Sequence, residues 1–265
     1  MSINKDDLKT VLSLVKIDEN GVVYKRGKFV ELFSKLHTNY VISKNNGSLY
    51  NDYQQIHQDM WKMETVFSKI VWENKLWKQN TLDDGAWIEF AQIDIDYFHV
   101  VFRSCFDHIA SAISDLPSSH SCPKSFNKLQ KWILKPDNFK RIDENISSLI
   151  KTCNWFNEIK DIRDLTVHED GSTLVFLEKT SDKILFQTYG NWKERISISK
   201  IMYNQNVVIF DLYAGLYYSY LLVFLEKLSE IIDSSLGLKA HGKDPRSSHT
   251  GLFFIIKWVN ELLLL

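Results

Sequence analysis

Only four prolines and ten glycines are spread through the 265 residues of this chain. With so few of the residues that interrupt helices, long unbroken helical segments are expected. The three cysteines, Cys105, Cys122 and Cys153, are odd in number and have no CxxC spacing. They argue against a disulfide framework or a cysteine-rich zinc site, and read as reduced, buried thiols. Neither sign of charge prevails. Net charge is −1, so bulk attraction to nucleic acid is excluded and only a local basic patch could supply it. Apolar runs are short: 212–225 is broken by Gly215 and Ser219, and 252–265 carries Lys257 and Glu261. Neither reaches the roughly 20 apolar residues of a spanning helix, so both read as core or interface helices and no membrane partner is expected. The first eight residues lack the apolar stretch of a secretion signal, which predicts a cytoplasmic protein.

Chemical signatures are also few. The eight histidines show no HxH or HExxH spacing, the glycines form no phosphate loop, and no GxSxG elbow occurs. No metal or other cofactor is therefore expected.

Aromatic residues, by contrast, are abundant, with 8 Trp, 11 Tyr and 16 Phe. Most of the tryptophans fall at helical spacing and read as core rather than as a base-stacking platform. Apolar residues recur at steps of three and four over 5–15, 28–40 and 49–79. They do so again over 87–116, 124–134 and 137–168. After Gly171 the period changes. The runs 173–177, 183–188 and 195–199 are branched and aromatic, separated by turn residues, and predict two or three short strands. A long apolar helix over 206–234, a loop over 235–245 and a leucine-rich last helix follow. The expectation is a mainly α fold in one domain, 1–265, with a small antiparallel β insertion at about 172–200.

Two constellations of polar residues suggest chemistry. The first is Arg163-Asp164-Leu165-Thr166-Val167-His168, at the end of a helical stretch. Arginine offers phosphate a planar, permanently charged fork, and histidine exchanges a proton near neutral pH. On a straight helix, five residues put Arg163 and His168 roughly 140° apart around the axis and about 7.5 Å apart along it. Asp164 and His168, four apart, share a face. The expected pair is thus Asp164–His168, with Arg163 joining only through a bent helix end, its own reach or a second subunit. Taken alone, the spacing fits helix capping and local ion pairing better than catalysis. The second constellation, Asp96, His99, Arg103 and Asp107, forms one polar stripe at steps of three and four. Such a stripe is usually a solvated face. If covered on both sides, it becomes a buried network able to support the first site.

A helical core, a long helix carrying Arg103 to Asp107-His108, and a later helix ending in Ile-Arg-Asp-Leu-Thr-Val-His together resemble the HEPN superfamily (higher eukaryotes and prokaryotes nucleotide-binding). Its signature is an arginine followed four to six residues later by a histidine, and Arg163, Asp164 and His168 occupy those positions. The resemblance covers about 50–234. It implies a HEPN-like helical bundle built from 49–169 and 205–236, leaving 1–48 as N-terminal helices and 250–265 as a C-terminal helix. It also implies a homodimer with two motifs facing each other, and RNA or a nucleotide as ligand. Active members are metal-independent endoribonucleases, and others are scaffolds for a partner protein or a nucleotide. By this analogy His168 is general base or acid, Arg163 stabilises phosphate charge and Asp164 orients His168. Two features depart from a nuclease: the slightly negative net charge, and a carboxylate beside the phosphate site.

Overall fold

The computed structural model describes residues 4–117, 119, 121–168, 173–188, 198–204, 207–238 and 245–265, with the side chains of 165–168 and 188 outside that set. Mainly α is the observed class. Asn4 caps the first helix, α1 (Lys5–Leu14), by accepting from the amides of Asp6 and Asp7. Two strands follow, β1 (Val15–Ile17) and β2 (Val23–Lys25), paired antiparallel with Lys16 opposite Tyr24. Asp18 closes their turn by accepting from the amides of Asn20 and Val22, and Gly21 there takes φ 77°. The helices α2 (Lys28–Ser43), α3 (Gly47–Lys78) and α4 (Asp84–Ser114) come next. Lys69 of α3 meets Asp94 of α4 and Ser48 meets Asp115, so the two long helices form an antiparallel hairpin.

The expected helix over 137–168 is broken in three. A short α5 (Phe126–Ile133) leads to α6 (Pro136–Phe139), α7 (Glu144–Thr152) and α8 (Phe156–His168). Asp143 caps α7, accepting from Asn145 and Ile146, while Ser147 donates to the carbonyl of Phe139. Gln130 takes up the carbonyl of Cys153 at the α7–α8 break. Side chains satisfy the freed backbone groups, so the breaks carry little cost. The apolar period runs through them because Ile146, Ile150, Phe156, Ile159 and Ile162 all enter one core.

The strands β3 (Thr173–Phe176) and β4 (Leu185–Thr188) pair antiparallel as the sequence predicts. The third strand of that sheet is β5 (Val208–Ile209), paired with β4. Of the expected strand at 195–199, residues 195–197 lie outside the described set, and Ser199–Ile201 is a 3-10 turn. A second small sheet was not anticipated, in which β6 (Ser247–Ser248) adds to β2.

At the centre lies α9 (Phe210–Leu236), every residue of which is buried from Phe210 to Leu225. A helix that is apolar all round must be enclosed. Here α1, α2, α7 and the last helix, α10 (Leu252–Leu264), pack around it. Gly215 lets α10 approach closely, since a Cβ there would lie 2.8 Å from Cβ of Trp258. Phe67, Phe98, Tyr218 and Trp258 tie α3, α4, α9 and α10 together by edge-on and tilted ring contacts. Among the described residues no helix is long and apolar enough to cross a membrane.

Candidate functional site

α8 begins where Phe156 packs on Phe106 and lies under the Arg103 guanidinium at 5.3 Å. Beyond its end, Thr173 of β3 donates to Asp96 and accepts at its carbonyl from Gln92. The helix thus runs antiparallel to α4. At 1.5 Å per residue Arg163 comes roughly level with Asp96. On its last turns the half-buried Arg163 donates to Asp164 at 3.1 Å. Lys160 reaches Asp161 at 2.6 Å and Asp164 at 3.4 Å. Asp164 is therefore shared between two cations. One turn earlier Glu158 accepts from the buried hydroxyl of Tyr217, fixing α8 against α9. His168 is the final residue of α8, and the expected Asp164–His168 pair lies outside the described residues.

The polar stripe of α4 is not the solvated face such a stripe usually is. Helix α4 is partly covered on that side, with His99 buried and Asp96, Arg103 and Asp107 half-buried, and its residues hold different neighbours. Asp96 bonds Thr173, and burial pushes its carboxyl above the ordinary range. His99 is fully buried: Nδ1 donates to the carbonyl of Ile95 at 2.7 Å, so Nε2 accepts from the hydroxyl of Tyr213 at 2.9 Å. Burial pulls its pKa down to about 4. Arg103 pairs with Asp107 at 2.6 Å and reaches Ser125 at 3.4 Å. Asp107 also accepts from the amide of Phe126 at 2.9 Å, neutralising the N-terminus of α5. The stripe fastens α4 to β3, α9, α5 and α8. His99 and Asp96 support the fold beneath α8.

Pattern reading also missed a buried polar cluster. Lys25 of β2 and Glu64 of α3 are almost wholly enclosed and pair at 2.5 Å, and Tyr218 of α9 donates to the same carboxylate oxygen. His249 lies 3.8 Å away from the second oxygen through Nδ1. That nitrogen accepts from the amide of Gly251 at 3.0 Å, which puts the ring proton on Nε2, facing Thr65 at 3.2 Å. His57 bonds Ser247, and burial together with the Lys25 charge lowers its pKa to about 4. A cavity of about 770 Å³, lined by Val22, Val23, Ser68, His249, Phe253 and Phe254, opens beside this cluster. Lys25, Glu64, Tyr218 and His249 come from separate segments, 31 or more residues from one another along the chain, so no local spacing signalled their meeting. A third cluster joins Lys69 to Asp94 at 2.7 Å and to Glu73 at 3.4 Å. Burial and the Asp94 charge raise Glu73 to about 7.

Cys105, Cys122 and Cys153 are free and buried, as the sequence suggests. Trp77, Trp87, Trp155 and Trp258 are core residues, whereas Trp61 and Trp72 are exposed against expectation. Among the described residues no group of three His, Cys, Asp or Glu is placed to hold a metal ion. No family model, no curated protein and no solved structure matches the chain.

Proposed function

We propose that this chain is a HEPN-like protein that cleaves RNA without a metal ion, working through Arg163 and His168. One observation carries the reading: Arg163 and Asp164 stand half-exposed and in contact on the last turns of the helix that ends at His168. The other polar residues singled out along the sequence are tied up in fastening α4. In this reading His168 takes the proton of a ribose 2′-hydroxyl as that oxygen attacks the neighbouring phosphorus. The bond to the 5′-oxygen breaks, and the leaving oxygen is protonated by the histidine of a second copy. Arg163 offsets the charge that builds on the phosphate oxygens, and Asp164 orients His168. Single-stranded RNA incubated in chelator with wild type, Arg163→Ala and His168→Ala tests it. Cleavage by wild type, reduced at least about 100-fold in either variant, is expected. Equal product from all three, or none from wild type, discards the nuclease.

A second reading is a non-catalytic scaffold for a partner protein or a nucleotide. The exposed tryptophans of α3 and the ion pair already engaging Arg163 favour it. Nucleotide binding by calorimetry in the absence of any cleavage would select this reading.

A further inference from the structure

Trp61 and Trp72 are at least half exposed on α3, a helix that otherwise feeds the core. With Thr65 and Ser68 they follow one another at steps of four, three and four, so the four residues share one face. Ser68 of that face lines the cavity of about 770 Å³ beside the Lys25–Glu64 cluster. The walls are apolar, with Val22 and Val23 supplied by the β1–β2 hairpin and Phe253 and Phe254 by α10. The volume falls within the roughly 300–1,000 Å³ of sites that hold small organic molecules. The walls are also held in place. A Cβ at Gly251 would overlap the main chain of Glu64, so α10 begins hard against α3. The buried Lys25–Glu64–Tyr218 cluster ties β2, α3 and α9 together behind it.

We infer that this cavity binds a small, uncharged aromatic alcohol, a phenol-type molecule with a single hydroxyl. Its polar end sets that chemistry. None of the described lining residues carries a formal charge. His249 is neutral, since its Nδ1 accepts from the amide of Gly251 and burial lowers its pKa. An ionic ligand would lose its hydration and gain no counter-charge. The amides of Leu252, Phe253 and Phe254, at the start of α10, are committed to the carbonyls of His249, Thr250 and Gly251 at 3.1 Å, and His249 Nε2–H to Thr65. Phosphate, carboxylate and peptide carbonyls therefore find no donor among these groups. Hydrogen-bonding capacity remains in two hydroxyls. Ser68 donates to the carbonyl of Glu64 at 3.3 Å and lies 3.2 Å from the hydroxyl of Thr250. Both bonds form only if Thr250 donates to Ser68, which leaves the Thr250 oxygen to accept. Ser248, also in the lining, keeps its hydroxyl to donate. One ligand hydroxyl, giving its proton to Thr250 and accepting from Ser248, satisfies both.

The aromatic body follows from the walls. Phe253 is half exposed at the mouth, and a flat ring packs against it and Phe254 in offset or edge-on contact. A nucleotide, with charged phosphates, does not fit this chemistry. The site shares no residue with Arg163 and Asp164, so it stands independently of the RNA reading.

Calorimetry with naphthol, methoxynaphthalene and naphthoate, all substituted at the same ring position, provides the test. Naphthol should bind the wild-type chain saturably. Methoxynaphthalene, which cannot donate, should bind at least about fivefold more weakly. Naphthoate should bind at least about 100-fold more weakly, because its charge enters an uncharged site. Thr250→Val keeps the side-chain volume and removes the acceptor, so the preference for naphthol over methoxynaphthalene should fall to about one. Phe253→Asp, at a half-exposed wall position, should weaken naphthol binding at least about tenfold with the thermal midpoint unchanged. Arg163→Ala should bind naphthol as wild type does, which separates this site from the proposed nuclease. The proposal is overturned if naphthol does not saturate, if naphthoate binds equally well, or if the preference survives in Thr250→Val. A folded Phe253→Asp protein that binds naphthol like wild type also overturns it.

Discussion

His99 shows what enclosure does to a single side chain. Its Nδ1–H is committed to Ile95 and its Nε2 lone pair to Tyr213, so the ring is held neutral, with its pKa near 4 instead of the ordinary 6.5. Between those values the folded protein binds fewer protons than the unfolded chain. Stability from this group is complete above 6.5 and is lost as pH falls through 4. A fully buried group shifted this far accounts for about 3 kcal/mol. Asp211, raised by burial to about 7, acts in the opposite sense: its contribution is present at low pH and is lost as pH rises through 7. Comparing wild type with His99→Phe cancels the Asp211 effect. Thermal denaturation from neutral pH down to pH 4 should show wild type losing stability that the variant keeps. Parallel curves for the two proteins would refute this account of His99. The position of His99 on a polar stripe was legible in the sequence. That His99 is buried and the rest of the stripe partly covered was not, because the elements packing on it, β3, α5, α8 and α9, come from distant parts of the chain.

Helices and strands were legible to the extent that local periodicity reports them. α3, α4, α9 and α10 follow their apolar spacing closely, and β3 and β4 were marked by branched residues between turn signals. The break between α7 and α8 was not, since residues on both sides face one core and the pattern crosses the gap without a change of phase. β1, β2 and β6 were also missed: they are two or three residues long, and β6 is a pair of serines recruited by β2 from across the fold. Gly215 depends on one such long-range contact. Gly215→Ala would raise intrinsic helix propensity in α9, yet its Cβ would press on Trp258. Overpacking outweighs propensity here, and a net loss of about 1–3 kcal/mol in urea unfolding is expected. A stabilised variant would mean that α10 moves aside freely.

The molecule as a whole is organised around α9, which touches α1, α2, α7, α10 and β5. A helix enclosed on all sides cannot open without dismantling its neighbours. Its amides from 212 to 225 should therefore exchange with solvent only through global unfolding, and slower than those of α5. Hydrogen exchange followed by mass spectrometry checks the order, and fast exchange in α9 would contradict it.

The sequence by itself determined the fold class, the reduced state of the three thiols and the placement of Arg163 and Asp164 near the end of a helix, because composition and short-range periodicity encode them. Only the tertiary structure decided that the α4 stripe is structural, that Lys25 and Glu64 meet inside the core, and that Trp61 and Trp72 face outward. Each of those depends on which surfaces cover one another, and burial and electrostatic partners are set by contacts between residues far apart in the chain, which no local pattern records.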